Sequence, residues 1–279
     1  HAYLFYGPRG TGKTTAARLM AKLVNCETRL RDTNFRSTGE PCNKCRACTE
    51  IDRGQALDVI EIDAASNRGI DEIRALKDGI RVAPTSFAYK VFIIDEVHML
   101  TREAFNALLK TLEEPPAHAI LVLATTEYDK IPPTITSRAQ RFHFRRLSMS
   151  QIAQKLQSIV AAEKLIIGAD ALELIAAMAE GSVRDAESLL GQVVALGGAV
   201  TPETIERIVG RVGYRAVSAF AALLLQQNLS ASLHELNALY AAGHNIVDFA
   251  KELITYLRRV LAVHYDESLA HVLAEELPH

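Results

Sequence analysis

The chain has 279 residues, nearly half of them hydrophobic, with no Trp and a formal charge of −2. That length suggests about two domains, and the composition suits a mostly helical core of Leu, Ile, Val and Ala. The charge excludes a broadly basic coat for nucleic acid but leaves room for a local DNA-facing stripe, and no apolar run approaches the ~18 residues of a membrane span, so no membrane partner is expected.

The chain opens at His1 inside an apolar run, Ala2-Tyr3-Leu4-Phe5-Tyr6, and so reads as a fragment whose N-terminal segment is absent. Directly after the run stands Gly7-Pro8-Arg9-Gly10-Thr11-Gly12-Lys13-Thr14. A helical pattern then runs from Thr15 to Val24, with Ala16, Met20, Leu23 and Val24 as its apolar stripe. Gly, four residues, then Gly-Lys-Thr, set between a strand and a helix, is the spacing of a phosphate loop. Glycines let backbone N–H groups close on phosphate oxygens, and the helix adds its unpaired amides and dipole. Lys13 is in register for the β- and γ-phosphates and Thr14 for Mg²⁺. A plain glycine-rich turn is the bland alternative. The in-register Lys-Thr decides for a nucleoside triphosphate.

All four cysteines, Cys26, Cys42, Cys45 and Cys48, fall in one short window, where a disulfide framework would spread them along the chain. Two Cys-x-x-Cys steps share Cys45, and Cys26 at a helix end completes a Cys₄ set suited to a closed structural Zn²⁺ site. An iron–sulfur cluster is the rival, but that pattern adds a further Cys and a Pro just downstream, and neither is present. Free thiols are the remaining alternative.

Leu57 to Asp63 reads as a half-alternating strand, and Ile73, Leu76 and Ile80 mark one face of the helix after it. Lys90 to Glu96 is a continuous apolar run closed by Asp95 and Glu96, as in a buried parallel strand whose C-terminal end meets ligand. Asp95 is set to hold Mg²⁺ and Glu96 to orient and polarise the attacking water. Thr101 can cap a helix carrying Phe105, Leu108, Leu109 and Leu112, which stops at Pro115-Pro116. Ile120 to Ala124 is another buried strand, followed by Thr125-Thr126, and Arg141 to Phe144 reads as the last. Strands alternating with helices predict a mostly parallel sheet covered on both faces.

These residues together resemble the bacterial DNA polymerase III clamp-loader ATPases of the gamma/tau type, members of the AAA+ class. The resemblance is carried by His1 to Phe5, by Ile94 to Leu100, by Phe105 to Pro116, by Ser137-Arg138, by Gly181 to Ala186 and by the cysteine window. It implies an AAA+ phosphate-loop domain over 1–147 with a zinc module at 26–48, a helical lid over 148–212, and an all-α collar over 213–279 that stops short. It implies that Thr126, or its neighbour Thr125, is sensor 1 for the γ-phosphate. Arg138 is implied as an arginine finger acting on a neighbour's ATP, and Arg184 as sensor 2. The nucleotide set it implies is Gly7 to Thr15 with Asp95, Thr126 and Arg184. Asn67 and Arg68 are implied to face DNA. Ala139 stands where the family has Cys, and the adenine-contacting segment ahead of His1 is missing.

Read from the residues alone, Ser150, Asp170 and Ser182 mark successive helix starts in the lid, and position favours Arg184 as a surface ion-pair residue, its sensor role resting on the resemblance. From Tyr214 onward, stripes at Val217, Phe220, Leu223 and Leu224, at Leu233, Leu236 and Tyr240, and at Ile246, Phe249, Leu253 and Leu257 are core or helix–helix contacts. The resemblance implies a cytoplasmic subunit using ATP, Mg²⁺ and Zn²⁺ to load a sliding clamp onto primed DNA. Other loader subunits would be its partners, and a polymerase only through a longer C-terminal tail. Two other readings are a non-hydrolysing stator like the delta-prime subunit and a different AAA+ remodeller such as a branch-migration helicase. Intact Lys13-Thr14 and Asp95-Glu96 oppose the first, and the cysteine window opposes the second.

Overall fold

Short apolar runs separated by amphipathic stretches need a parallel sheet with crossover helices to bury both faces, and the computed structural model has that form. It describes residues 1–67, 69–195, 197, 200, 201, 204, 205 and 214–266. The chain divides into two compact units, His1–Arg146 and Leu147–His279.

In the first unit β1 (Ala2–Tyr6), β2 (Val59–Asp63), β3 (Lys90–Asp95), β4 (Ala119–Thr125) and β5 (Gln140–His143) form one sheet in the order β2-β3-β4-β1-β5. Every pairing is parallel. Successive side chains point to opposite faces of a strand, and two cores result. Leu4, Phe92, Ile94, Leu121 and Leu123 face one layer, with α5 (Ile70–Arg81) and α6 (Arg102–Glu113). Phe5, Val91, Ile93 and Val122 face the other, with α1 (Lys13–Asn25). The central strand β4 is buried along its whole length, whereas β5 is exposed at all four residues and carries Gln, Arg and His as an edge strand tolerates. Thr101 caps α6 as predicted, accepting from the Ala104 N–H at 3.2 Å.

Three details of this first unit differ from the sequence reading. The buried line of α1 runs through Ala17 and Ala21, with Ala16, Met20 and Val24 only flanking it. Small side chains let that helix settle close on the sheet, so the residues with least apolar surface lie deepest. Leu57 is 75% exposed and outside β2, while Asp58 is buried. The cysteine window is itself helical, with α2 (Glu27–Arg31), α3 (Thr33–Arg36) and α4 (Arg46–Asp52). A single helical turn, α7 (Pro133–Thr136), precedes β5.

The second unit holds α8 (Met149–Ala162), α9 (Ala169–Met178) and α10 (Val183–Ala195) around Ile152, Leu156, Ile175 and Leu190. Ser148, not Ser150, caps α8, in a reciprocal box with Gln151. A separate cluster of Val217, Phe220, Leu239 and Phe249 joins α11 (Tyr214–Leu225), α12 (Leu229–Ala241) and α13 (Ile246–Tyr265). On α12 the buried line passes through Ser232 and Leu239, and Leu233 and Tyr240 are exposed. Apolar residues ring that helix, so their spacing alone does not select a face. No helix among the described residues is long and apolar enough to cross a membrane.

Candidate nucleotide site

Because β4 pairs with β1 on one side and β3 on the other, the C-terminal ends of these three strands lie together. Parallel sheets present polar groups to ligands at that edge. Leaving β1, the chain turns at Gly7, whose φ is 146° and whose N–H donates to the Thr125 carbonyl at 3.2 Å. A Cβ at Gly7 would collide with the Phe144 carbonyl oxygen, so only glycine fits. Gly12, with φ 90°, caps α1 without any side-chain hydrogen bond to the helix's first amides. Those N–H groups stand ready for an anion.

Lys13 is buried, and its Nζ donates to the carbonyls of Gly7 at 2.9 Å and Pro8 at 2.8 Å. Burial pulls the pKa of its ammonium down, against the opposing pull of the Glu96 and Asp95 carboxylates. The Thr11 hydroxyl donates to the Pro8 carbonyl at 2.9 Å and tightens the same loop. Thr14 donates to Asp95 Oδ2 at 2.7 Å, and the Glu96 N–H donates to Asp95 Oδ1 at 2.9 Å. Asp95 thereby joins the start of α1 to the end of β3. Glu96 adopts a left-handed backbone, φ 47°, a conformation that costs a non-glycine residue about 1 kcal/mol or more. In that turn its Oε2 accepts from the Thr126 N–H at 3.2 Å and the Thr126 hydroxyl at 2.8 Å.

Lys13, Thr14, Asp95, Glu96 and Thr126 are therefore brought together, while Arg9 and Thr15 of the loop are exposed. Thr125, the alternative to Thr126, is wholly buried and meets His98 Nδ1 at 3.0 Å. His98 and Glu127 escaped the sequence reading. Their signal was faint: a histidine two residues past the acid pair, and a carboxylate next to the two threonines.

Arg138 makes no hydrogen bond to the loop. Its Nε and Nη2 lie 2.9 and 2.6 Å from Glu113 Oε1, and its Nη1 donates to the Thr134 carbonyl at 2.7 Å. Arg184 belongs to the second unit, exposed in the first turn of α10. The Asn67 side chain donates to the Asp63 carbonyl at 3.0 Å; Arg68 lies outside the described residues.

The sulfurs of Cys26, Cys42, Cys45 and Cys48 all lie within 4.8 Å of one another. Backbone N–H groups point at them, Cys42 N–H to Cys26 Sγ at 3.3 Å and Cys45 N–H to Cys42 Sγ at 3.2 Å. Burial opposes ionisation of Cys42, but hydrogen bonds from Thr28, Lys44 and Cys45 outweigh it and bring the thiol down to about 6. Burial pushes the Cys48 thiol well up, and the neighbouring Cys45 and Cys26 thiols add to that. Crowded thiolates repel, and a cation among them removes the penalty. A tetrahedral zinc site with Zn–S ≈ 2.3 Å sets sulfurs ~3.8 Å apart, so the set fits a single ion of this kind.

Residues 1–148 match the family described as "DNA polymerase III, delta subunit", and residues 151–199 match "DNA polymerase III clamp loader subunit, ATPase lid domain". The chain is 49% identical over 262 residues to DNA polymerase III subunit tau of Bacillus subtilis, covering 94% of this chain and 45% of that one. It is 39% identical over 261 residues to DNA polymerase III subunit gamma of Buchnera aphidicola subsp. Acyrthosiphon pisum, covering 93% of this chain and 70% of that one. It thus spans less than half of the tau relative and over two thirds of the gamma relative. Among solved structures it resembles the RuvB Holliday junction branch migration motor of Thermotoga maritima, with a TM-score of 0.52 at 16% identity over 88% of this chain and 74% of that one. At that identity the likeness speaks for the fold alone.

Proposed function

Because this chain belongs to the gamma/tau subunit family of DNA polymerase III, we propose that it is a clamp-loader ATPase, using ATP binding and hydrolysis to load a sliding clamp onto primed DNA. The observation that carries the reading is the Thr14–Asp95 hydrogen bond at 2.7 Å beside Lys13, with Glu96 fixed next to it on Thr126. In this reading the loop from Gly7 to Thr15 cradles the phosphates and Lys13 exchanges its loop carbonyls for β- and γ-phosphate oxygens. Thr14 and Asp95 are the residues that would hold Mg²⁺, which supplies charge neutralisation between those phosphates. Oε2 of Glu96 is anchored, and among the described residues its Oε1 accepts no hydrogen bond, leaving that oxygen to orient the attacking water.

Thr126 acts as sensor 1, Arg184 as sensor 2 from the lid, and Arg138 as a finger offered to a neighbouring subunit. The four cysteines hold a structural zinc that closes the 26–48 module and takes no part in the chemistry. Residues 148–212 form the lid and 213–279 a collar through which loader subunits join. Asn67 and Arg68 face the DNA, and the protein works in the cytoplasm. A polymerase is a partner only where a longer C-terminal tail accompanies the chain.

Two variants test the site. Lys13→Ala is expected to abolish ATP binding with the fold intact. Glu96→Gln is expected to bind ATP normally and lose turnover by roughly 10²–10⁴-fold. Calorimetric ATP binding and phosphate release are the measurements, and undiminished turnover in Glu96→Gln sinks the assignment. The stator reading draws on the delta-subunit description of the family matched by residues 1–148. It predicts no turnover in the wild-type chain, even when assembled.

A further inference from the structure

One buried polar side chain that the proposed chemistry does not use stands against the reacting carboxylate. His98 lies on the 3₁₀ turn Val97–Met99 between β3 and α6, and its side chain is 6% exposed. Its Nδ1 is 3.3 Å from Glu96 Oε2, and its Nε2 is 3.1 Å from Glu127 Oε1. Nδ1 also meets the Thr125 hydroxyl at 3.0 Å, so the ring is held between two carboxylates and a threonine. Its contacts with Glu96 and Glu127 are ion pairs only in the doubly protonated ring. Glu127 is anchored in turn, by Lys130 at 2.7 Å and by its own N–H on Thr125 Oγ1 at 3.0 Å. The imidazole therefore braces Glu96 against the loop that follows β4.

We infer that His98 is a positioning residue for Glu96. Thr126 holds Oε2 with two donors from one residue, which fixes its distance to β4 but leaves the carboxylate free to swing about that contact. A contact from a different element, the 3₁₀ turn, restricts that swing and keeps Oε1 where the water must be met. Displacing a reacting group by about 1 Å costs on the order of 10²-fold in rate. The inference rests on the reading of Glu96 as the carboxylate that orients water. A histidine that only fills space with satisfied hydrogen bonds would behave differently, and substitutions separate the two.

Asparagine can place an amide nitrogen where Nδ1 stands, and glutamine can place one where Nε2 stands. In the full chain His98→Asn is expected to keep at least a tenth of wild-type kcat. His98→Gln is expected to lose about 10²-fold, with ATP affinity within about twofold of wild type in both. Turnover, KM and calorimetric ATP affinity are measured beside Glu96→Gln and the double variant with His98→Gln, and the double variant is expected to be no slower than Glu96→Gln alone. Wild-type turnover in His98→Gln overturns the inference, as does an equal fall in His98→Asn or a loss of ATP affinity that matches the loss of rate. Wild-type turnover in Glu96→Gln instead overturns the reading on which it rests, so the two failures are distinct.

Discussion

Asp58 is 1% exposed, and both its carboxylate oxygens are committed to the backbone of the loop that leads into β3. Thr85 N–H donates to Oδ1 at 2.8 Å, and Ser86 and Phe87 N–H donate to Oδ2 at 2.7 and 2.9 Å. Burial opposes its ionisation, but these three amides and the Lys90 charge outweigh that and hold the carboxyl below its ordinary range. A folded pKa below the unfolded one, about 3.9, gives a stabilisation that is complete above that value and lost as pH falls through the folded pKa. Asp58→Asn is therefore expected to cost about 2 kcal/mol at pH 7 and progressively less below pH ~4. Urea denaturation at pH 7 and pH 3 checks this, and an equal cost at both would assign the loss to packing. Asp58 was not legible in the sequence, where an acid near a strand start resembles the solvated side of an alternating pattern. Lys13, Thr14 and Asp95 were legible because chemistry dictates their spacing within short segments. The contacts of Glu96 with Thr126 and His98 with Glu127 were not, since they arise only once β3 and β4 lie side by side.

Among the elements, the cysteine module is the one that cannot stand by itself. Helices α2 and α3 are five and four residues long and bury no side chain, far short of what an isolated helix needs. Its ties to the core lie at its ends: Ile51 of α4 packs in the core with Ala17 and Ala21, Lys22 pairs with Asp52 at 2.7 Å, and the Asn25 amide exchanges hydrogen bonds with the Tyr89 backbone at 3.1 and 2.8 Å. A metal within the cysteine set is the natural staple between them. Purified protein is expected to carry about one zinc and no iron. Chelation should collapse amide protection over residues 26–48 while strands β1, β3 and β4 keep theirs. Elemental analysis and hydrogen exchange are the measurements; iron in the sample, or equal loss of protection in the sheet, would refute the closed-zinc reading. The cysteines betrayed their association by crowding, but nothing in their spacing announced that the polar stretch between them coils into short helices. Local capping decides that: Asp32 accepts from the N–H groups of Asn34 and Phe35 at 2.9 and 3.1 Å.

Across the whole molecule, the proposed ring motor rests on Arg138, whose guanidinium is paired with Glu113 at the end of α6. The finger role requires it to exchange that carboxylate for a neighbour's phosphate. Alone, the chain should hydrolyse ATP slowly, and assembly should speed turnover, given that fingers are worth roughly 10³–10⁵ in well-studied GTPases. Arg138→Ala should leave its own ATP affinity unchanged and slow the adjacent subunit. Mixing Arg138→Ala with Lys13→Ala subunits is expected to restore part of the activity, because a mixed ring sets an intact finger beside an intact pocket. No recovery on mixing, measured by phosphate release, would rule out action in trans. Strand and helix alternation made the parallel sheet of the first unit readable. The packed faces of the second were less so, since Leu and Ala spread around α12 mark no single side. The sheet order has one more consequence, which concerns time. Strand β1 is flanked by β4 and β5, both encoded more than a hundred residues later. On a ribosome adding about 5–20 residues per second, the phosphate loop therefore waits roughly 6–30 s for the strands that hold it in shape. The phosphate loop is thus made well before the strands that flank β1, and a half-made chain without β4 and β5 lacks the sheet edge that shapes the loop.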